Sequence, residues 1–267
     1  MLLERIVVGV DFGPASLAAA RWAAQSLAPE AEIVLVHCVS PTKVATVGAE
    51  SATSRARHRL EVLRQELGSA STRVEVTDGN PAMRIAAAAD RLDADLIVVG
   101  PHNHYPQTEA RVGSTADELV HLSCTPVLLA TGELRGPPRR LLLPVQGPDI
   151  SAFVFEWARA IEARCDARIS IVHVDVARCY GDATEKVSSD QAPRWRRVAD
   201  GFEPDTLFVD AVRTNTPADT VMSQAQRFSS DLVVLGDRTF GADSPPAIRR
   251  LLLESRRPVL VVPDVAR

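Results

Sequence analysis

Lysine is almost absent from this 267-residue chain. Of its 30 basic residues only Lys43 and Lys186 are lysines, and the remaining 28 are arginines. The sequence has no Gly-Lys dipeptide, so the phosphate-binding pattern GxxxxGK[ST] is missing. A mechanism that needs a catalytic or phosphate-binding lysine therefore has two candidates, and neither stands in a motif.

Cysteines and long apolar runs are also scarce. The four cysteines form no C-x-x-C pair, and four in 267 residues are too few for a disulfide scaffold. No run of 18 apolar residues is present, so no membrane-spanning helix is expected. The first residues carry no basic segment or small-residue cleavage site typical of a signal peptide. We therefore expect a cytoplasmic protein without a membrane partner.

The net charge and the aromatic content narrow the class of protein further. The net charge is −4, and broad nucleic-acid binding, which needs a basic surface, is not expected. Aromatic residues make up 4% of the chain and hydrophobic residues 46%. The composition is that of a globular protein with an aliphatic core.

The chain contains an internal repeat. With an offset of 136 residues, Gly79–Gly100 aligns with Asn215–Gly236 without a gap, and 8 of 22 positions are identical. The segment 131–138 between the copies is rich in Gly and Pro, as linkers are. We expect two copies of one domain, residues 1–133 and 138–267.

Each copy alternates apolar strand patterns with helical patterns. This alternation predicts an α/β fold in which a mostly parallel, doubly wound sheet has helices on both faces. The predicted strands are 5–10, 32–39, 72–77, 95–100, 126–130, 140–145, 167–174, 206–212, 231–236 and 258–263. The predicted helices are 14–27, 52–67, 81–92, 114–123, 150–163, 217–227 and 247–255.

Ligands of such sheets bind beyond the carboxyl ends of the strands, where the strand order reverses. Asp11 follows the first strand directly, where an acidic residue either accepts hydrogen bonds from a ribose or base, or caps the next helix. Gly113-Ser114 opens a helix 13 residues after Gly100. A helix N-terminus of this kind either binds phosphate or is simply capped by the serine.

These signals occur in an order that resembles the universal stress protein family, in a tandem form covering nearly the whole chain twice. The segments that carry the resemblance are Gly9-Val10-Asp11, Gly79-Asn80-Pro81, Asp95–Gly100, Gly113-Ser114 and Cys124–Leu129. The family's nucleotide motif is G-x2-G-x9-G-[S/T]. Gly100, Asn103 and Gly113-Ser114 keep its spacing, with one glycine replaced by asparagine.

The resemblance implies ATP, with or without Mg²⁺, or another adenine nucleotide as ligand of the first copy. Gly9, Asp11 and Cys38 would then hold the adenosine. The triphosphate would be lined by Gly100, Asn103, Gly113, Ser114 and Thr115. The resemblance also implies five strands per copy in the order 3-2-1-4-5, an internal pseudo-dimer of the two copies, and leaves a homodimer open.

The second copy departs from this pattern. Gln146 stands at the position of Asp11, and Gly236 and Pro258 are 22 positions apart where Gly100 and Pro126 are 26 apart. Where Gly-Ser is expected the chain has Pro245-Pro246, or Arg249-Arg250 if the motif's spacing is kept, and proline has no N–H to donate. We predict that the second copy does not bind ATP in the family's manner.

No Ser-His-Asp order or pair of carboxylates indicates catalysis, and His102 and His104 lack a third metal ligand. We expect His37 and His173 to be structural and Cys124 to be buried. The expected function is a nucleotide-responsive regulatory module of the stress response. A nucleotide-independent scaffold, or binder of another ligand, and a slow ATPase are the alternatives.

Overall fold

The computed structural model describes residues 3–39, 49–68, 71–101, 114–146, 152–176, 185–186, 207–241 and 244–264. Outside these ranges lie Asn103 and Gly113 of the motif, as well as His102 and His104. The chain divides into two compact units, which we call the N-terminal unit (Leu2–Pro137) and the C-terminal unit (Pro138–Arg267).

The N-terminal unit alternates strands and helices from its first strand to its last. Its elements are β1 (Arg5–Gly9), α1 (Pro14–Trp22) with a π-helical turn (Ala23–Leu27), β2 (Glu32–Val39), α2 (Ala49–Leu67), β3 (Thr72–Asp78), α3 (Pro81–Leu92), β4 (Leu96–Val99), α4 (Ser114–Leu122) and β5 (Val127–Leu129).

All strand pairs of this unit are parallel, in the order β3-β2-β1-β4-β5. The strand order 3-2-1-4-5 that the resemblance implied is confirmed. Ile6, Val7 and Val8 of the central strand are fully buried, because consecutive side chains point to opposite faces and both faces are covered. The order reverses at β1, which lies between β2 and β4.

The C-terminal unit repeats the arrangement. Its elements are β6 (Arg140–Val145), α5 (Ala152–Cys165), β7 (Arg168–Val176), β8 (Glu185–Lys186), β9 (Leu207–Thr214), α6 (Pro217–Arg227), β10 (Leu232–Gly236), α7 (Ser244–Glu254) and β11 (Val259–Val262). Five parallel strands again have the order 3-2-1-4-5, here β9-β7-β6-β10-β11. The sequence did not predict β8, a two-residue antiparallel strand that pairs with β9.

The repeated aspartates Asp95 and Asp231 join the first and fourth strands of their units. A carboxylate oxygen of Asp95 accepts the backbone N–H groups of Glu4 and Arg5, both at 2.8 Å. Asp231 accepts those of Arg139 and Arg140 at 3.0 and 2.8 Å. One carboxylate thus satisfies two backbone donors at the start of the central strand in each unit.

The repeated prolines and helix ends also have physical roles. Pro81 and Pro217 occupy the first helical position of α3 and α6, where a missing N–H leaves no intrahelical bond unmade. A left-handed residue follows each helix, Asp93 with φ 52° directly after α3 and Ser229 with φ 50° two residues after the last residue of α6. The next N–H then reaches back to a helix carbonyl, as in Ala94 to Ala89 at 2.9 Å.

Some predicted element ends were wrong by a few residues. The helix α2 begins at Ala49 and α7 at Ser244, each three residues before its predicted start. Pro245 and Pro246 do not block α7, because they fall in its first turn. Within the described ranges, no helix is long and apolar enough to cross a membrane.

Replacing Asp95 with alanine is expected to destabilise the N-terminal unit. The substitution leaves two backbone N–H groups of the central strand without their acceptor, at a cost of about 1–3 kcal/mol in the free energy of unfolding. Native-state hydrogen exchange of the β1 amides measures the change. Glu133→Ala is the control, because Glu133 is exposed and pairs with the exposed Arg135. Equal protection of β1 in both variants would contradict this role.

Candidate functional site

A cleft of about 90 Å³ lies at the carboxyl ends of β1, β2 and β4 in the N-terminal unit. Strand ends, α1, α3 and α4 contribute its lining, which is Gly9, Val10, Asp11, Ser16, Val36, His37, Cys38, Pro81, Ile85, Val99, Gly100, Thr115 and Ala116. The cleft lies where the strand order reverses, the position at which open α/β sheets bind ligands.

The cleft brings together most of the predicted site residues. Five of the eight line it, namely Gly9, Asp11, Cys38, Gly100 and Thr115. Asn103 and Gly113 lie outside the described residues. Ser114 begins α4, and its side chain lies outside the described residues.

Asp11 shapes the turn between β1 and α1. Its Oδ1 accepts the backbone N–H of Gly13 at 2.7 Å and the hydroxyl of Ser16. The N-cap residue of α1 is Gly13, so Asp11 supports the turn without being the cap itself. Of the two uses that the sequence left open, the helix cap is therefore wrong. The carboxylate does line the cleft, as a ligand contact requires.

Phe12 adopts a left-handed backbone with φ 66°, a conformation that costs a non-glycine residue about 1–3 kcal/mol. Its ring packs on His37 with centroids 4.5 Å apart, and the Arg59 guanidinium lies 4.0 Å from the ring centroid. The ring also contacts the buried cluster of Val39, Ala52 and Ala56. These contacts hold the turn that carries Asp11 in its strained form.

His37 is part of the wall of the cleft and is only 6% exposed. Its Nδ1 lies 2.6 Å from the carbonyl oxygen of Val10, and since a carbonyl only accepts, Nδ1 is the donor. This bond ties the end of β2 to the end of β1. The prediction that His37 is structural is confirmed, and His173 is likewise buried.

Cys38 presents a neutral thiol to the cleft. Burial raises its pKa to about 11; the carboxylates of Glu75 and Asp78 raise it too, while Arg84 opposes them. The sulfur lies 4.0 Å from the carbonyl oxygen of Pro81, a weak contact. At neutral pH the Cys38 thiol is therefore a small, weakly polar group in the lining of the cleft and not a nucleophile.

Gly100 is required by packing at the end of β4. A Cβ atom there would lie 2.7 Å from the backbone nitrogen of Ser16 and 2.8 Å from the carbonyl carbon of Ala15. Gly9 is less constrained, since its nearest neighbour would be the side-chain tip of Ile85 at 2.8 Å. The sequence predicted a phosphate role for Gly100, and the structure adds the close approach of α1.

Sequence reasoning missed Ser16 and the apolar walls. Val36, Ile85 and Val99 read as ordinary core residues, and nothing in their pattern marks the cleft side. Ser16 is a polar residue within the first turn of an alanine-rich helix, which is a weak signal. Its hydrogen bond to Asp11 becomes visible only once the turn is built.

The central strand of the C-terminal unit differs at its carboxyl end. Ile6 of β1 pairs with Leu96 of β4, and Leu141 of β6 pairs with Leu232 of β10. Leu141 therefore corresponds to Ile6, and Pro144, three residues later, corresponds to Gly9. The pairing of β6 with β10 stops after two residue pairs, where β1 and β4 share four. Proline has no N–H to continue the ladder.

Backbone N–H groups at the turn after β10 are hydrogen-bonded within the C-terminal unit. The hydroxyl of Thr239 accepts the N–H of Gly236 at 2.8 Å, and Phe240 is 1% exposed. Asp237 accepts the N–H of Asp264 at 3.1 Å, and burial raises the pKa of its carboxyl group. The donors at this strand end are therefore engaged within the unit itself.

Two surface residues are Cys124 and Arg250. The prediction that Cys124 is buried is wrong, because the residue is exposed while its neighbours Ser123 and Thr125 are buried. Arg250 forms intramolecular ion pairs with Asp219 at 2.8 Å and Glu254 at 3.3 Å. Among the described residues, no group of three potential metal ligands occurs.

Thiol labelling tests the environment of Cys38. With a pKa of about 11, only about one Cys38 thiol in a thousand is ionised at pH 8. In a Cys179→Ser background we expect a disulfide reagent to label Cys124 at least tenfold faster than Cys38 at pH 8. The Cys38 rate is expected to rise as the pH approaches 11. Equal rates at pH 8 would contradict the buried, neutral thiol.

Comparison with known proteins finds similarity to universal stress proteins. The model of the universal stress protein family matches residues 3–131. A universal stress protein of Mycolicibacterium smegmatis is 26% identical over 96% of this chain and 96% of its own. A universal stress protein structure from Archaeoglobus fulgidus has a TM-score of 0.72 at 17% identity, covering 96% of this chain and 95% of that one. A second, from Pseudomonas aeruginosa, has a TM-score of 0.66 at 16% identity, covering 98% and 93%. The two structures show the fold of the whole chain. The family match covers residues 3–131, so the N-terminal unit belongs to the universal stress protein family.

Proposed function

We propose that the N-terminal unit binds an adenine nucleotide, with ATP the first candidate, and that the chain is a nucleotide-responsive regulatory module of the stress response. The observation that carries the proposal is the cleft where the strand order reverses, which combines apolar walls with the carboxylate of Asp11. The internal pseudo-dimer, a homodimer and a cytoplasmic location stay predictions.

The lining of the cleft fits an adenosine. Val36, Ile85 and Val99 offer apolar surface for a flat base, and the neutral Cys38 adds no charge beside it. Asp11 supplies an acceptor for ribose hydroxyls at the carboxyl end of the first strand, the edge at which open α/β sheets bind their ligands. Gly9 keeps the strand end free of a side chain.

The phosphates would extend toward the start of α4. Thr115 lines the cleft in the first turn of this helix, and a helix N-terminus favours anions through its unpaired N–H groups and its dipole. The proposal keeps Gly100, Asn103, Gly113 and Ser114 as the phosphate loop, on the spacing of the motif alone. Mg²⁺ would enter with the phosphates of ATP.

We propose that the C-terminal unit does not bind a nucleotide in this manner. Gln146 carries no charge where Asp11 does, and Pro144 places a ring where Gly9 has none. The Thr239 hydroxyl accepts the N–H of Gly236. Two prolines in the first turn of α7 have no N–H to donate to a phosphate. This unit would instead support the binding unit.

Calorimetric titration of ATP–Mg²⁺ into nucleotide-free protein tests the proposal. We expect one ATP per chain. In Asp11→Ala the affinity is expected to fall at least tenfold, because a hydrogen bond to a charged group is lost. The matched control is Gln146→Ala, which removes the corresponding side chain of the C-terminal unit and is expected to change nothing. No heat at millimolar ATP in the unmodified chain would contradict the proposal.

One sequence feature favours the second candidate, a nucleotide-independent scaffold. Asn103 replaces a motif glycine, and its side chain would crowd the phosphates. Under that alternative, Asn103→Gly creates ATP binding that the unmodified chain lacks, as measured by the same titration. Under our proposal the unmodified chain already binds, and the substitution changes the affinity less than Asp11→Ala does.

A further inference from the structure

Ser16 has an unusual position for a helix serine. It lies in the first turn of α1, is 4% exposed and lines the cleft beside Asp11. Its hydroxyl donates to Oδ1 of Asp11, and its oxygen lies 3.3 Å from the backbone nitrogen of Asp11 as an acceptor. The two residues are thus joined by a reciprocal pair of hydrogen bonds across the turn.

The single hydroxyl proton of Ser16 has two acceptors within reach. One is Oδ1 of Asp11 and the other is the carbonyl oxygen of Gly13 at 3.1 Å. The bond to the carboxylate is the shorter, and hydrogen bonds to an ionised acceptor are roughly twice as strong as neutral ones. The proton therefore goes to Asp11, where it joins the N–H of Gly13 on the same oxygen.

The backbone of Ser16 packs closely against the end of β4. Its nitrogen and Cα would lie 2.7 and 2.8 Å from a Cβ at Gly100, so the turn sits directly on the end of β4. Pro14 fixes the helix start two residues earlier. The position of the hydroxyl is consequently set by the sheet and not by solvent.

We propose that Ser16 is a positioning residue of the ligand site, which holds the Asp11 carboxylate ionised and in one orientation toward the cleft. The identity of the ligand that Asp11 would contact rests on the proposed function. The hydrogen bonds between Ser16 and Asp11 do not depend on it. A hydrogen bond donated to an ionised carboxylate stabilises the ionised form. The Ser16 hydroxyl therefore favours the charged Asp11 carboxylate over the neutral carboxylic acid.

Among the described residues, few other ionisable groups line the cleft beside Asp11. From β2 the cleft receives His37 and Cys38, and from α2 Arg59 lies over the neighbouring Phe12 ring. The described lining residues from α3 and α4 are Pro81, Ile85, Thr115 and Ala116, none of which titrates. A change confined to Ser16 leaves all of these in place.

The test is the titration of the Asp11 carboxyl carbon by NMR in the ligand-free full chain. The Asp11 signal is assigned by its loss in Asp11→Asn. In Ser16→Ala we expect the pKa of Asp11 to rise by about one unit, because one donor to the charged form is removed. Alanine is a strong helix former, so α1 is retained. Ser26→Ala, which removes a half-buried hydroxyl from the π-helical turn after α1, is the matched control and leaves the pKa unchanged.

Nucleotide affinity gives a second, separate readout. Ser16→Ala is expected to weaken ATP binding about tenfold at pH 7, and Ser26→Ala not at all. An unchanged Asp11 pKa in Ser16→Ala overturns the positioning role whatever the affinity does, and so does ATP binding that is unchanged in Ser16→Ala. A raised pKa in a chain that binds no nucleotide supports the hold on Asp11 and overturns the proposed function.

Discussion

The close approach of α1 to the end of β4 is the constraint on which the site depends. Because Gly100 has no side chain, the backbone of Ala15 and Ser16 packs directly against the strand end. That approach sets the turn between β1 and α1, in which Asp11 bonds to Gly13 and Ser16. The cleft is the space left beside this contact, so its geometry follows from packing before any ligand is considered.

The turn between β1 and α1 contains a strained residue and the contacts that stabilise it. Phe12 has an unfavourable φ, and its ring is held by His37 and Arg59. His37 in turn bonds to the carbonyl of Val10, so a hydrogen bond joins the carboxyl ends of β1 and β2. Backbone strain next to a polar side chain in a cleft is typical of functional sites, where the surrounding structure fixes an otherwise rare conformation.

The two units show how one fold can keep its core while its strand ends change. Asp95 and Asp231 satisfy equivalent backbone donors, and Pro81 and Pro217 start equivalent helices. These features stabilise the fold and are retained in both copies. At the carboxyl ends, Pro144 stands in the register position of Gly9, and the Thr239 hydroxyl accepts the N–H of Gly236. Function belongs to the site and not to the fold, and the site is what differs.

The sequence predicted the fold well and part of the lining of the cleft. Apolar runs and the repeat fix strands, helices and two copies, because burial on both faces leaves a clear pattern. Asp11 and Gly100 were predicted from their place after strands. Ser16 and the left-handed Phe12 were not, because their roles depend on a turn whose shape is set by tertiary contact. Cys124 was misjudged because its exposure depends on which way one turn faces.

The central claim is that one cleft, in the N-terminal unit, takes the nucleotide. The most direct measurement is an NMR titration of the backbone amides with ATP–Mg²⁺. The account predicts that the amides of Asp11, Cys38, Gly100 and Thr115 shift together with one dissociation constant, while those of Gln146 and Gly236 stay in place. Shifts at the C-terminal strand ends, or none at millimolar ATP, would contradict it.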